Sequence, residues 1–258
     1  MVISKTYLRS SLKTKLYMST TLCFDFGNTR MKCAVFINGK FLKEQVLEND
    51  RAETILGLIQ QYHPTRSILS SVIDHDPVME EILARETRFH KLDHHTRLPV
   101  TTPVGKPETI GADRLALVVA AVTLFPGKHN LAIGLGSAIT YNFVNKYKEF
   151  IGGGISPGME MRFRSLQQFT AKLPLVKADW NFPLAGYDTR TNILSGVILG
   201  MAREIDGIIG AYEEKYDNFN VLLSGGDGVY FTRHLKKKIF ADPHLIYKGL
   251  YAISEYNS

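Results

Sequence analysis

Shifted by 109 residues, the chain falls on itself: Leu22-Cys-Phe-Asp-Phe-Gly-Asn28 lies over Leu131-Ala-Ile-Gly-Leu-Gly-Ser137. This internal repeat constrains the fold more than any other feature, because a duplicated segment of this length implies a duplicated supersecondary unit. In each copy an apolar strand runs into a glycine-containing turn and two more strands follow. They are predicted over residues 31–37 and 40–46 in the first copy, with Asn38-Gly39 as the hairpin signal, and over 139–144 and 149–155 in the second. Between the copies, Ile55, Leu58, Ile59 and Tyr62 recur at helical spacing, 67–71 reads as a strand, and helices are predicted over 78–86 and 115–124. The second half continues with a long helix over 191–212, a strand over 219–223 and a helix over 228–235. The class is α/β, with two β-β-β-α-β-α halves around a cleft, 18–127 and 128–258, and no low-complexity linker between them.

Composition narrows the function classes. The 258 residues are 45% hydrophobic, enough for a sizeable core, and no apolar run approaches the roughly 18 residues that span a bilayer. The net charge of +6 is concentrated at one end: residues 1–17 carry Lys5, Arg9, Lys13 and Lys15 with no acid, and the remainder is close to neutral. These residues resemble a transit peptide in composition, and Met18 can equally be an initiator. The expectation is a flexible extension outside the fold. Lys236, Lys237 and Lys238 read as a solvated helix end rather than a nucleic-acid patch. Cys23 and Cys33 read as packed thiols of a reducing, cytoplasmic compartment. His90, His94 and His95 around Asp93 do not read as a metal site, and His75 falls in what reads as a solvated loop before Pro77.

Five segments carry candidate chemistry. The first strand ends in Asp25-Phe26-Gly27-Asn28-Thr29-Arg30-Met31-Lys32. A glycine turn there can present backbone N–H groups to a phosphate, Asn28 and Thr29 offer hydrogen bonds, Lys32 adds charge, and Asp25 can hold a metal or its water. A capped hairpin has the same local pattern. The repeat supplies a second small-residue turn at Gly136, Ser137 and Thr140, so a phosphate chain can lie between two turns without a Walker loop. Next, Gly111-Ala112-Asp113-Arg114 precedes the apolar helix: Arg114 can grip a carboxylate in bidentate fashion, and Asp113 can accept a hydroxyl proton. A helix cap with a local ion pair also fits that segment. Gly152-Gly153-Gly154 through Arg162 marks close backbone approach. Thr189 with Ser195-Gly196 comes fourth, and Ser224-Gly225-Gly226-Asp227-Gly228, suited to an adenine or ribose, comes fifth.

In this order, over residues 21–250, the five blocks resemble a type III pantothenate kinase of the acetate kinase/sugar kinase/Hsp70/actin superfamily. The resemblance implies a duplicated ribonuclease H-like (actin-like ATPase) fold and transfer of the ATP γ-phosphate to the hydroxyl of pantothenate, towards coenzyme A. It implies ATP binding by Asp25 to Lys32 with Ser137, and substrate binding by Gly111, Ala112, Asp113, Arg114 and Thr189, the last across a dimer interface. Asp113 is the implied proton acceptor. Mg²⁺, held by Asp25, and a monovalent cation, K⁺ or NH₄⁺, are implied cofactors, and a homodimer without nucleic acid or membrane is the implied state.

The chain departs from the family pattern twice. The second phosphate turn usually reads Asp-x-Gly-Thr, and here it reads Gly134-Leu135-Gly136-Ser137, so the acid that ligates the monovalent cation is missing. A pocket tyrosine is replaced near Val104. Two alternatives follow: a catalytically impaired relative that binds a ligand or serves transcription as an accessory protein, and a kinase for another small hydroxy acid.

Overall fold

The computed structural model describes residues 19–102 and 105–258. The N-terminal extension and Val104 lie outside the described residues. In chain order the elements are β1 Thr20–Phe26, β2 Met31–Ile37, β3 Lys40–Leu47, α1 Ala52–Tyr62, β4 Arg66–Ser71, α2 Pro77–Glu86, β5 Arg88–Lys91 and, after a 3₁₀ turn at Pro107–Thr109, α3 Ala112–Leu124. The second half holds β6 His129–Leu135, β7 Ala138–Val144, β8 Phe150–Pro157, α4 Met159–Gln168, α5 Thr189–Glu213, β9 Phe219–Ser224, α6 Gly228–Phe231, β10 Phe240–Ala241 and α7 Leu245–Tyr256.

The duplication is visible strand for strand. One sheet has the order β3-β2-β1-β4-β5 and the other β8-β7-β6-β9-β10, the same path traced twice. β1 and β6 each pair antiparallel with the following strand and parallel with the strand after the helical crossover. Even the irregularity recurs: register slips between Val35 and Phe36 in one copy and between Phe143 and Val144 in the other.

Three apolar clusters hold these layers. α1 and α2 cover one face of the first sheet around Phe24, Phe26 and Leu69. α5 covers the outer face of the second around Ile133, Tyr141 and Met201. Between the sheets lie α3 and α7, whose residues join Cys23, Ile68, Ala132 and Leu222 from both. α3 is apolar around its whole circumference, as a helix enclosed by protein on every side must be. α7 follows the second sheet in the chain yet packs on α3, β1 and β4 of the first half.

Several expectations are revised. α3 begins at Ala112 rather than at 115, which puts Asp113 and Arg114 in its first turn. α5 begins at Thr189 because Asp188 forms a capping box with Thr191. α6 stops at Phe231 instead of continuing to 235, because the Asp206 carboxylate accepts from the backbone N–H groups of Lys236 and Lys237 and draws the chain off the helical path. The lysine run therefore lies outside any helix, with a bend at Lys237, which pairs with Glu213. His75 is not solvated: its side chain is 7% exposed, meets Phe26 edge to face, and bonds Glu80 at 2.7 Å.

The α3–α7 crossing leaves no room at one point. A Cβ on Gly249 would stand 1.9 Å from the Ala116 carbonyl oxygen, whereas a Cβ on Gly57 of α1 would touch nothing within 4 Å. Gly249→Ala is predicted to lower unfolding free energy by about 2 kcal/mol or more, and Gly57→Ala to leave it unchanged or raise it by up to about 1 kcal/mol. Denaturant melts of the two variants check this.

Candidate active site

The two glycine turns of the repeat meet. The β1–β2 turn is closed by the Gly27 N–H donating to the Arg30 carbonyl at 3.1 Å, and the β6–β7 turn by the Gly136 N–H donating to the Ala138 carbonyl at 3.1 Å. Across the cleft, Thr29 Oγ1 and Ser137 Oγ stand 2.6 Å apart. Neither turn needs its glycine for internal packing, since a Cβ on Gly27 or Gly136 would find its nearest neighbour at 3.7 Å. Their value lies in bare backbone at the cleft. The second turn is itself held tightly: a Cβ on Gly158 would reach the Gly136 and Ser137 carbonyls at 2.4 and 2.5 Å, and one on Gly225, at φ +119°, the Leu135 carbonyl at 2.1 Å. The β9–α6 turn thereby joins the other two, with Arg30 close enough to temper the burial that raises the Asp227 carboxyl.

Strand alternation sorts the first motif into two sets. Phe26 and Met31 are paired in register, and both side chains belong to the core behind the first sheet, so only their backbone is available to a ligand. Asp25 and Lys32 are also paired and face the other way, toward α3 and α7. There Asp25 meets Asp113. Burial first, and then the Asp113 charge, push the Asp25 carboxyl up from 3.8 to about 7, against the pull of Lys32. Asp113 is raised too, by burial, while the backbone N–H groups of its own residue and Arg114 oppose the shift. Gly111 makes this posture possible, because a Cβ there would stand 2.5 Å from Asp113 Oδ1.

Arg114 is already partly engaged. Its Nε donates to Asn142 Oδ1 at 2.7 Å, one terminal nitrogen reaches the Tyr141 carbonyl at 3.4 Å, and the guanidinium lies over the Phe150 ring. Asn142 in turn donates to Thr140 and to the Ala132 carbonyl, which fixes the fork from β7. Position 134, opposite Thr140 in register, has closed over: a Cβ there would meet Thr140 Oγ1 at 2.8 Å and Leu117 Cδ1 at 2.9 Å.

Thr29 meets Ser137, and Asp25, opposite Lys32, meets Asp113, whereas the side chains of Phe26 and Met31 lie in the core and Thr189 opens α5 and lines a separate groove of about 660 Å³ with Arg162, Leu166, Asn192 and Val197. Sequence reasoning passed over Glu44, which binds Lys32 at 2.9 Å, and Asn142. A lone acid facing inward on β3 and a buried asparagine in an apolar strand were the signals available.

The sequence profile described as type III pantothenate kinase matches residues 21–211. A type III pantothenate kinase of Cytophaga hutchinsonii is 42% identical over 236 residues, spanning 92% of this chain and 99% of the relative. One from Bacteroides fragilis is 41% identical over 238 residues, spanning 92% and 98%. Among solved structures, a Baf family transcriptional activator from Campylobacter jejuni superposes with a TM-score of 0.57 at 19% identity, over 92% of this chain and 98% of that one. A protein from Listeria monocytogenes named as an N-acetylmannosamine kinase gives 0.51 at 11%, over 93% and 100%. Both share the actin-like fold expected from the repeat.

The Asp25 carboxyl yields a pH prediction. The folded chain keeps this proton up to about pH 7 while an unfolded chain releases it near 3.8, so ionising Asp25 opposes folding and stability declines as pH rises through that interval. Asp25→Asn removes the effect. In ligand-free thermal melts the variant is expected to gain on the wild type between about pH 4 and 7 and to hold a constant advantage above.

Proposed function

This chain belongs to the type III pantothenate kinase family, and from that premise we propose how its residues divide the transfer of the ATP γ-phosphate to pantothenate. The observation that carries the assignment is the meeting of the two turns at Thr29 and Ser137, the first of which follows the strand that sets Asp25 against Asp113. ATP lies along the bare backbone of Gly27 and Gly136, with Asn28, Thr29, Arg30, Lys32 and Ser137 as phosphate contacts and the Gly225–Gly226 turn beneath the nucleoside. Pantothenate sits over the start of α3. The unengaged edge of Arg114 binds its carboxylate, and the fork imposed by Asn142 fixes the direction of approach. Asp113 accepts the hydroxyl proton as the hydroxyl oxygen bonds to the γ-phosphorus. The bond from that phosphorus to the bridging oxygen breaks, and ADP leaves with the electron pair. The raised Asp113 carboxyl makes it a better proton acceptor at neutral pH than an exposed aspartate.

Two carboxylates forced together suit a divalent ion. Mg²⁺ takes one or two carboxylates and completes its shell with water and phosphate, a demand that Asp25 with Asp113 beside it can meet. When bound, it neutralises charge on the transferring group, and Asp25 is the residue that would hold it. Position 134 offers no donor to K⁺ or NH₄⁺, and its space is taken by Thr140 and Leu117. A monovalent cation would therefore find no side-chain ligand from residue 134 itself.

We place Thr189 at the substrate of a second copy. The most exposed apolar side chains include Leu184 at 83%, Tyr187 at 81% and Phe169 at 80%, all near the Thr189 groove, with Ile155 of β8 at 66%. A face of this character supports a homodimer. Cytoplasmic placement is supported by two free buried thiols.

In an ATP-consumption assay, pantothenate-dependent turnover is predicted to be insensitive to K⁺ and to fall at least about 100-fold in Asp113→Asn. A silent wild type with turnover restored by Gly134→Asp would instead mark an impaired kinase, the reading the missing acid favours. Sedimentation is expected to give a dimer, and the Phe169→Lys/Leu184→Lys variant a monomer.

A further inference from the structure

Register alone would pair Lys32 with Asp25, since the two stand directly opposite on the antiparallel β1–β2 ladder. The structure pairs Lys32 elsewhere. Its Nζ donates to Glu44 Oε1 at 2.9 Å. Glu44 lies opposite Ala34, two residues along β2 from Lys32, so all three side chains share the face that carries Asp25. Among the described residues Asp25 forms no ion pair, and its carboxyl is left for other company.

Glu44 is in turn set from the far end of the chain. His244, at the start of α7, stacks on Phe41 of β3 with ring centres 4.4 Å apart. Its Nδ1 is buried without a hydrogen-bond partner, 3.6 Å from Glu44 Oε2. The buried Tyr247 hydroxyl bears on the same carboxylate. Burial by itself would raise the Glu44 carboxyl, but Lys32 and Tyr247 outweigh it and hold it low, so Glu44 stays ionised beside the ammonium. Asp242, two residues before His244, connects this segment to β9 by donating its N–H to the Leu223 carbonyl.

We propose that Glu44, set in place by His244 and Tyr247, is a positioning residue that draws Lys32 away from Asp25, so that the ammonium is aimed at nucleotide phosphate and Asp25 stays open to Mg²⁺. The inference rests on the assignment of Lys32 to phosphate made above. Without Glu44 the ammonium falls back on the opposite strand residue, and one salt bridge blocks both a phosphate contact and a metal ligand.

The test is a double-mutant cycle on Mg·ATP affinity, read by calorimetric titration of the full chain: wild type, Glu44→Gln, Lys32→Met and both together. Glu44→Gln is expected to weaken binding about 5-fold to 10-fold and Lys32→Met about 10-fold or more. The double variant should match Lys32→Met within about 2-fold, because Glu44 then has nothing to aim. Tyr247→Phe, which preserves the core, should move affinity in the same direction by less. A purely structural Glu44 would instead add its full cost on top of Lys32→Met, and that result overturns the proposal. So does a silent Glu44→Gln beside a costly Lys32→Met. A silent Lys32→Met removes the phosphate assignment itself, and the inference with it.

Discussion

A helix with no polar side sets the plan of this molecule. α3 buries Ala112 and every residue from Leu115 to Val122, and it can do so only by lying between two sheets with α7 closing the remaining side. Each large aliphatic residue so enclosed contributes about 1.5–3 kcal/mol, which makes the central layer the dominant adhesive between halves that only the short segment 125–128 joins along the chain. Its position has a chemical consequence. The first turn of α3 carries Asp113 and Arg114 to the end of β1 beside Asp25, so the burial that holds the halves together also sets the Asp113 charge against the Asp25 carboxyl and raises it. In the transfer proposed above, a divalent cation would relieve that repulsion by its charge and a substrate hydroxyl by its proton.

Duplication built the cleft, and its two copies have since diverged. Asp25 and Gly134 occupy equivalent strand positions, yet one keeps a carboxylate and the other has surrendered its volume to Thr140 and Leu117. The turns beyond them each close on a hydrogen bond donated by the glycine N–H, to Arg30 in the first and to Ala138 in the shorter second. Charge handling has thus collected in the first half, with Asp25, Lys32 and Glu44 on one face of one sheet, while the second half contributes backbone, a hydroxyl and the Asn142 brace on Arg114.

Much of the fold was legible because it was written twice. Strand period, helical spacing and the 109-residue offset located four strands of each sheet and the central helix, but not the edge strands β5 and β10 or the helix α7. What escaped was decided by contacts distant in sequence. α6 is cut short by Asp206, about thirty residues away, and α4 was hidden behind a glycine-rich run that read only as strand and turn. At the site, Asp25, Asp113, Thr29 and Ser137 could be named from local motifs, and Thr29 stands against Ser137 as Asp25 stands against Asp113. Glu44 could not, since its neighbours His244 and Tyr247 lie some two hundred residues on, and nothing in a lone glutamate on β3 announces them.

The central claim is that one nucleotide bridges both turns of the repeat. Hydrogen exchange with and without Mg·ATP tests it most directly. Slowed exchange at residues 27–30 and 135–138 together, with the same dependence on nucleotide concentration, is the predicted result. Protection confined to one turn, or found in neither while the nucleotide is bound, would contradict it.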